Sequence, residues 1–594
     1  MKRSEQLVEN TWNITDLFEN EEAWNNELQR VEEMTCSLQA FHGSLHQPSS
    51  LVAFLDLYFD MEKRLEDCID YASLQSDQDS ANAYFQNMKG KVITLTSKID
   101  SSLSFMAPEI LQLSKNEYEE LFKQEPKLEK YSRYLDDIIR KKDHMLDPTQ
   151  EKILALAQET CQAPEVIFHI LNDADVRFAD ASDALGGLHP VTSASYFDHI
   201  ANEDRVLRKN AFQSMYDSYE KIANTTAALL NAQCKQLKFQ SDVRGYASSV
   251  EASLDQTNVP VSVYKNLIEA VHEDLPILHK YMKVRKKHLH LDQVHMYDLY
   301  TSLVPACDKP ISFTQAKEDV LDSIQIFGKE YVDIYKQGLN SRWIDIYENE
   351  GKRSGAYSNG ANVHPYVLLN HTPTLHSEFT LAHEMGHAMH SYLSNHYQPY
   401  CDSKYKIFVA EVASTCNEAL LMHKLQYECK DPLEKAYLIN YFMEQFRTTL
   451  YRQCMLAEFE WKINEKVAQG NTLSAELLCS IYHDLNELYY GPDCVIDTGI
   501  DFEWAKIPHL YYNFYLYQYA TGFSAAMALS QKIIHGTQDD IDAYLTFLKG
   551  GCSKTPIELL RQAGVDMTTA KPIHDALSLF DSLIDEFDEI LSNI

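Results

Sequence analysis

The sequence predicts a mainly α protein, a large multi-helical fold in which β-structure is confined to small ribbons. Apolar residues recur at intervals of three and four over most of the chain, which is the spacing of one helix face. β-favouring runs are short and few by comparison. No low-complexity tract or Pro/Ser-rich linker separates the helical segments, so we expect parts that pack together rather than tethered domains.

Size and charge narrow the classes of function. The chain has 594 residues, of which 45% are hydrophobic and 24% charged, so it can bury a large core and does not have the composition of a disordered protein. Its formal net charge of −34 repels polyanions. We therefore expect no nucleic-acid partner and no binding to anionic membranes through a basic surface.

The N-terminus and the cysteines indicate the compartment. Two basic residues near the start have no apolar run behind them, and no stretch reaches the roughly 18 uncharged apolar residues of a spanning helix. The 12 cysteines are scattered without a C-x-x-C pair, which indicates reduced thiols in a chain of this size. We expect a cytoplasmic protein.

The first predicted segment, residues 1–110, is helical. Thr15 is a candidate cap for a helix through Leu17–Val31, where apolar residues follow helical spacing. A second such run covers Leu51–Leu65, and Pro108 marks a break near the end of the segment.

The second predicted segment, residues 111–200, is helical and ends in a small β-hairpin. Gly186 and Gly187 permit a positive-φ turn. This turn lies between two β-favouring runs, Val176–Phe178 and Val191–Ser195.

The third predicted segment, residues 201–594, holds the candidate chemistry and is read as a catalytic domain. It opens with long helical patterns over Arg205–Phe239 and Val261–Leu289. Two β-favouring runs, Trp343–Tyr347 and Tyr366–Leu369, predict a two-stranded ribbon. Its edge either pairs with an extended peptide through main-chain hydrogen bonds or simply covers the core.

The H-E-x-x-H motif formed by His383, Glu384 and His387 is the centre of the predicted site. On a helix, residues four apart share a face, so both imidazoles can bind one ion while Glu384 activates water as a base. Zinc is the expected ion because it suits imidazole and carboxylate ligands and has no redox chemistry. The alternative is a pair of helix-face histidines that contact water or a core carboxylate.

A catalytic zinc needs one more protein ligand, and the next helical stretch offers Glu411 and Glu418. We expect Glu411 to be the ligand and Glu418 to accept a hydrogen bond from a ligand imidazole. The metzincin pattern is excluded, because it requires glycine and histidine where this chain has His390 and Leu393. His390 is expected to support the site from outside the ligand set or to pack.

A second cluster lies far downstream. If the segment is helical, Tyr512, Tyr515 and Tyr519 share one face, and His509 lies one turn earlier. A phenol or imidazole there can donate a hydrogen bond to the oxyanion that develops in peptide hydrolysis. The alternative is a core aromatic stripe.

At these residues the sequence resembles the oligoendopeptidase F family, within the thimet-oligopeptidase group of zinc peptidases. Four segments carry the resemblance, and in this chain they are Gly351–Tyr357, Thr380–Tyr392, Ala410–Glu418 and Ile507–Gly522. The resemblance implies a nearly all-α metallopeptidase with a deep central channel that cleaves short unstructured peptides.

The resemblance also implies residue roles. His383, His387 and Glu411 would bind one Zn²⁺ per chain, and Glu384 would be the base. The donors to the oxyanion would come from His509, Tyr512 and Tyr519, with the two tyrosines as first choices. The expected contacts to substrate are Gly355, Ala356, Tyr357 and Tyr515.

The sequence therefore predicts a zinc metalloendopeptidase that hydrolyses internal bonds of short oligopeptides. One alternative is a zinc carboxypeptidase or dipeptidase, in which Lys352 or Arg353 would bind the substrate's terminal carboxylate. Another is a non-catalytic peptide-binding protein with a zinc-stabilised core, although such a protein has no need of Glu384.

Overall fold

The computed structural model describes residues 1–305 and 309–594, and most of them are helical. In chain order the α-helices are α1 (Glu21–Gln39), α2 (Pro48–Gln78), α3 (Ala83–Leu103), α4 (Met106–Gln112), α5 (Lys115–Gln124), α6 (Ser132–Ile139), α7 (Pro148–Cys161), α8 (Ala163–Ile170), α9 (Ser195–Ala201), α10 (Arg205–Val243), α11 (Ser249–Asp255), α12 (Val261–Glu273), α13 (Leu275–His288), α14 (Phe313–Ser323), α15 (Gly328–Asn340), α16 (Leu375–Tyr397), α17 (Ile407–Glu428), α18 (Pro432–Gln445), α19 (Arg452–Ala468), α20 (Ala475–Tyr490), α21 (Tyr517–His535), α22 (Gln538–Leu548), α23 (Pro556–Gln562) and α24 (Lys571–Asn593). The short strands are β1 (Ala181–Ser182), β2 (Leu188–His189), β3 (Val294–His295), β4 (Ile344–Asp345), β5 (Tyr357–Asn359), β6 (Tyr366–Leu368) and β7 (Cys494–Val495). The predicted mainly α class is confirmed. Within the described parts of the chain, no helix has both the length and the apolarity needed to cross a membrane.

The described residues form two compact units. The first unit comprises Met1–Met145, Lys309–Lys424 and Leu529–Gly564; the second comprises the described residues of Leu146–Asp308, together with Leu425–Ala528 and Val565–Ile594. The boundaries predicted near residues 110 and 200 divide the chain into consecutive segments and not into compact units. They stay a prediction.

In the first unit, α1, α2 and α3 pack around a core that contains Trp24, whose indole N–H donates to the carbonyl of Cys68 at 3.0 Å. The predicted cap at Thr15 is wrong. Asn20 caps α1 by accepting a hydrogen bond from the Ala23 amide, while Thr15 lies in a separate 3₁₀ turn. The Asn20 side chain reaches an unpaired amide of the first turn, which Thr15 is too far along the chain to do.

The small sheet beside α16 has three strands in the order β4-β6-β5. β4 runs parallel to β6 and β5 runs antiparallel to it, so the two predicted strands are paired but are not joined as a simple ribbon. A parallel pair needs a longer crossover connection, and β5 lies within that connection. Gly360 follows β5, and a Cβ there would lie 2.6 Å from Oγ of Ser391 on α16. The predicted position of β-structure next to the motif helix is thus confirmed.

The second unit contains the predicted hairpin, but its strands are only β1 and β2. The runs Val176–Phe178 and Val191–Ser195 lie outside the pairing, so that part of the prediction is wrong. The Asp183 side chain accepts from the amides of Leu185 and Gly187 and closes the turn locally. This closure keeps the strands short.

The long helix predicted from Arg205 is α10, which continues to Val243. The pattern over Val261–Leu289 is two helices, α12 and α13, rather than one. Pro276 stands at the start of α13, where its missing N–H costs nothing; inside a continuous helix it would remove a hydrogen bond.

Candidate metal centre

Helix α16 places the two motif histidines on one face. Thr374 caps this helix by accepting from the Ser377 amide. The rings of His383 and His387 have centroids 4.8 Å apart at an interplanar angle of 82°. Both Nε2 atoms approach the same carboxylate oxygen of Glu411, at 3.3 Å from His383 and 3.5 Å from His387.

Gly386, inside the motif, lets helix α17 bring that carboxylate close. A Cβ at this position would lie 2.7 Å from Cα of Ser414 and 2.8 Å from the carbonyl oxygen of Ala413. These are backbone atoms, which cannot swing aside as the end of a flexible side chain can. The Asn417 amide also bridges the helices by donating to the carbonyl of Ala382 at 3.3 Å. The absence of a side chain at Gly386 therefore sets the spacing of α16 and α17.

The donor atoms of His383, His387 and Glu411 all lie within 4.8 Å of one another. Two imidazole nitrogens and one carboxylate oxygen are the ligand types that a catalytic zinc takes from a protein, with a further position left open. Burial raises the pKa of Glu411, but hydrogen bonds with both imidazoles outweigh this and hold it well below its usual range. Ser414 Oγ donates to the same oxygen at 3.0 Å. The donor set fits zinc.

Glu418 lies two turns beyond Glu411 on α17, and its Oε1 is 2.5 Å from Nδ1 of His383. An imidazole that donates from Nδ1 presents the lone pair of Nε2, which is the atom facing Glu411. Burial lowers the pKa of His383, yet its hydrogen bonds to the two glutamates raise it well above the ordinary value.

Glu384 is buried, and its Oε2 has no hydrogen-bond partner. Burial raises its pKa, while the charges of the neighbouring His383 and His387 oppose that shift. A carboxylate with an unpaired oxygen beside a metal-binding cluster has the position and the free lone pairs of a general base.

His390, one turn beyond His387, belongs to a packed layer. Its ring stacks on Tyr405 with centroids 3.8 Å apart and also contacts Phe547. Burial lowers its pKa to about 3, so the imidazole is neutral. The structure therefore places His390 in packing behind the motif, the second of the two roles expected for it.

Gly355 and Ala356 line a cavity of about 220 Å³ together with His376 and Thr380. His376 and Thr380 lie on the same face of α16 as His383, about two turns and one turn before it. The structure thus brings Gly355 and Ala356 beside the motif helix. Tyr357 begins edge strand β5, its hydroxyl donates to Asp77 at 2.9 Å, and it is not among the residues that line that cavity.

The two basic residues offered by the carboxypeptidase alternative have partners. The Lys352 ammonium is fully buried, pairs with Asp345 at 2.7 Å and donates to the carbonyls of Tyr347 and Leu369. Its three donors are thus in use, which removes it as a binder of a substrate carboxylate. Arg353 donates to Asp77 at 3.2 Å and remains more than half exposed.

In the second unit, the aromatic cluster forms without one continuous helix from His509 to Tyr519. Pro508–Tyr511 is a single 3₁₀ turn, and α21 begins only at Tyr517. Between them Asn513 and Phe514 have φ of +52° and +59°. Two consecutive residues in the left-handed region interrupt a right-handed helix, so the condition that the segment be helical is not met.

The four predicted residues nevertheless come together. From His509 the ring centroids of Tyr512, Tyr515 and Tyr519 are 5.5, 6.1 and 5.8 Å away. The Tyr519 hydroxyl is 3.4 Å from Nε2 of His509. Burial lowers the pKa of His509, with the charge of Arg452 adding to the shift, so the imidazole is neutral near pH 7. Tyr512 is 39% exposed.

Two side chains from other helices hold the left-handed loop. The Gln233 amide on α10 donates to the carbonyl of Tyr511 and to Oδ1 of Asn513, both at 3.0 Å. Glu460 on α19 accepts from the Phe514 amide at 2.6 Å. Gln233, Glu460 and Gly386 were not among the residues predicted from the sequence. Only Gly386 carried a local signal, as the one small residue between the paired histidines.

Comparisons with known proteins find related peptidases. The model of peptidase family M3 matches residues 199–579, and a model described as Oligopeptidase F matches residues 109–178. Oligopeptidase PepF of Bacillus subtilis (strain 168) is 40% identical over 100% of this chain and 89% of its own. Group B oligopeptidase PepB of Streptococcus agalactiae serotype III (strain NEM316) is 37% identical over 98% of this chain and 97% of its own. The crystal structure of oligoendopeptidase-F from Enterococcus faecium has a TM-score of 0.76 at 35% identity and covers 96% of this chain and 99% of its own.

Proposed function

The chain belongs to peptidase family M3, within it to the oligoendopeptidase F group, and on this premise we propose that it is a zinc-dependent endopeptidase. Membership makes it a peptidase that acts on oligopeptides. The proposal adds the metal, the internal position of cleavage, the short unstructured substrates and the residue roles. Its cytoplasmic location also stays a prediction.

The observation that carries the proposal is the convergence of His383, His387 and Glu411, with the unpaired Glu384 oxygen beside them. In the proposal the first three residues hold the ion. Zinc supplies Lewis acidity, which polarises a carbonyl and makes water more acidic. Glu418 keeps the His383 imidazole in the orientation and tautomer that binding requires.

Glu384 carries the proton in the proposed reaction. Its free oxygen takes a proton from the attacking water and then delivers that proton to the leaving amine. A raised pKa suits both steps, because the carboxylate must hold the proton between them. His509, Tyr512 and Tyr519 are proposed as donors to the developing oxyanion.

Substrate contacts are proposed at Gly355, Ala356, Tyr357 and Tyr515. The first two line a cavity along the motif helix, and Tyr357 starts the edge strand. An edge strand can pair with an extended peptide through its main chain, which ignores side-chain identity and suits a peptidase with many substrates. Tyr515 packs edge-on against Tyr519 within the donor cluster.

The test is Glu384→Gln, with Glu318→Gln on an exposed face of the same unit as the matched control. We expect metal content, measured by mass spectrometry, to be unchanged in both variants. Cleavage of a mixed peptide digest should fall by a factor of about 10² to 10⁴ in Glu384→Gln alone. Near-normal turnover in that variant would reject Glu384 as the base.

The metal and the position of cleavage need their own measurements. Activity lost to a chelator and restored by added zinc supports the metal. Product masses from a C-terminally amidated peptide separate the endopeptidase from the carboxypeptidase alternative, because an endopeptidase still cleaves the same internal bond.

A further inference from the structure

A cavity of about 360 Å³ in the second unit is lined by aromatic and aliphatic side chains, and His383, His387 and Glu411 are not among its lining residues. Rings from several elements contribute to its wall, among them Tyr196, Phe212, Tyr216, Tyr219, Tyr300 and Tyr490. A volume of this size lies in the range of small-ligand pockets. The wall therefore suits an apolar or aromatic group.

Its charged residues are unusual for an apolar cavity. Among the described residues that line it, Arg452 and Lys506 carry positive charge and Glu503 carries negative charge. The Arg452 guanidinium is 2.9 Å from Oε1 of Glu503. The other carboxylate oxygen, Oε2, accepts a hydrogen bond from the Tyr482 hydroxyl at 2.5 Å. Two cations thus share one carboxylate, and the cavity wall has one positive charge in excess.

Lys506 is the cation with unmet hydrogen-bonding capacity. Its ammonium is 3.8 Å from Glu503, beyond hydrogen-bond distance, and 3.6 Å from Sδ of Met215, a weak acceptor. It otherwise lies over the rings of Tyr196 and Tyr216, at 4.8 and 5.3 Å from their centroids. Burial lowers its pKa to about 8, against the opposing attraction of Glu503. A largely buried ammonium whose only carboxylate neighbour among the described residues is 3.8 Å away and is shared with Arg452 is complementary to an anion.

The same cavity reaches the proposed donor cluster. His509 lines it, as do Ile507 and Pro508 from the same turn. The rings of Tyr512 and Tyr519 contact His509, although neither tyrosine is among the residues that line the cavity. A peptide whose scissile carbonyl meets that cluster would have its neighbouring residues close to this cavity, because His509 belongs to both.

We propose that this cavity binds a carboxylate of the peptide substrate, with the Lys506 ammonium as its ion-pair partner. The inference rests on the proposed peptidase function and adds a feature that the substrate must carry. Every short peptide with a free C-terminus has such a carboxylate, and the aromatic wall accommodates the side chain next to it. An Asp or Glu side chain supplies the same chemistry, and the experiment separates the two sources.

Three peptides of one sequence make the comparison: a free acid, its C-terminal amide, and an amide with glutamate as the last residue. Cleavage of one internal bond is followed by mass spectrometry. For the wild-type enzyme we expect KM for the amide to be about tenfold or more above KM for the acid, with kcat little changed, because a charged hydrogen bond is lost on binding. If the glutamate amide matches the acid, the acidic side chain is an accepted source. If KM for the glutamate amide matches that for the plain amide, the bound carboxylate is that of the C-terminus.

Lys506→Met keeps the length of the side chain and removes the charge, while Glu503 retains Arg452 and Tyr482 as partners. The variant should cleave acid and amide with equal KM. Lys506→Arg should retain a preference for the acid, and Lys235→Met, an exposed lysine of α10, is the matched control and should behave as wild type. Circular dichroism verifies that each variant is folded.

Equal KM values for acid and amide in the wild-type enzyme would overturn the proposal, whether or not any variant folds. So would a preference that persists in Lys506→Met. Isothermal titration with an acetylated tripeptide acid and its amide gives an independent measurement that requires no cleavage. Binding of the acid alone would support the cavity even if the peptidase proposal failed, and equal or absent binding of both would reject it.

Discussion

Nδ1 of His383 and Oε1 of Glu418 lie 2.5 Å apart, although the two residues belong to different helices, α16 and α17. This hydrogen bond uses the ring nitrogen that faces away from Glu411 and leaves the other for an ion. In the proposed zinc site, Glu418 would thereby position a metal ligand.

Glu418→Gln should weaken zinc binding by about 10- to 100-fold and leave the fold intact, because an amide supports the ring orientation less strongly than a carboxylate does. Competition with a fluorescent chelator measures the affinity. Glu318→Gln serves as the control, and an unchanged zinc affinity in Glu418→Gln would contradict the role.

Gly386→Ala should both destabilise the protein, by about 1–3 kcal/mol, and weaken zinc binding, because the new Cβ forces α16 away from α17. Urea unfolding and chelator competition measure the two effects. Gly90→Ala is the matched control: Gly90 lies within α3 with open space around its Cβ position, so alanine there should stabilise by roughly 0.5–1 kcal/mol.

Tyr512→Phe and Tyr519→Phe should each lower kcat while zinc content stays constant, because a phenylalanine ring cannot donate to the oxyanion. Steady-state kinetics on one peptide, with metal analysis of the same samples, gives both numbers. If neither substitution changes turnover, the cluster is a packed aromatic group and another donor must be sought.

Gln233→Leu should also lower kcat without loss of zinc, although Gln233 belongs to the loop's support and not to the ring cluster. Without its two hydrogen bonds the left-handed turn at Asn513 has less to hold it, and the tyrosines lose their fixed positions. Gln213→Leu, on an exposed part of the same helix, should leave kcat unchanged. Equal kcat in the two variants would show that the turn keeps its conformation without the hydrogen bonds from Gln233.

Glu503 should make stability depend on pH in the acid range. Burial raises its pKa, but Arg452 and Lys506 outweigh burial and bring it from 4.5 to about 2. Because the folded-state pKa is the lower one, the carboxylate stabilises the fold above the ordinary pKa, and this contribution is lost as pH falls from about 4.5 towards 2.

The measurement is urea unfolding of the wild type and Glu503→Gln at several pH values. At pH 7 the variant should be less stable by about 3–5 kcal/mol, because Arg452 loses its ion-pair partner and Lys506 loses its nearest carboxylate, and both cations are largely buried. The difference should shrink below pH 4.5. Glu269→Gln, at an exposed site of the same unit, should show no such trend, and a pH-independent difference would argue against an ionised Glu503.

The metal cluster was predictable because its geometry is mostly local. His383 and His387 are brought together by helical periodicity alone, and Glu411 and Glu418 share a face of the next helix for the same reason. Sequence also indicated that Glu411 was the nearer carboxylate. It did not indicate that Gly386 sets how closely the two helices approach, since that distance depends on both partners.

The tyrosine cluster shows where sequence reasoning fails. Residue spacing indicated a helical face, and a helix would have brought Tyr512, Tyr515 and Tyr519 together. The chain reaches a similar grouping through a left-handed turn, which is stabilised by Gln233 and Glu460 from distant parts of the sequence. Tertiary hydrogen bonds overrode the local preference, and a single sequence does not reveal such partners.

The missing side chain at Gly386 has a consequence for anyone who transplants this centre into a new scaffold. A graft of the two histidines and the glutamate would copy the donor atoms and leave their separation to chance, since the host helices would rest on whatever side chain stands between the ligands. The unit to transfer is therefore a pair of helices in backbone contact, in which the glycine at 386 and the facing Ser414 are both retained.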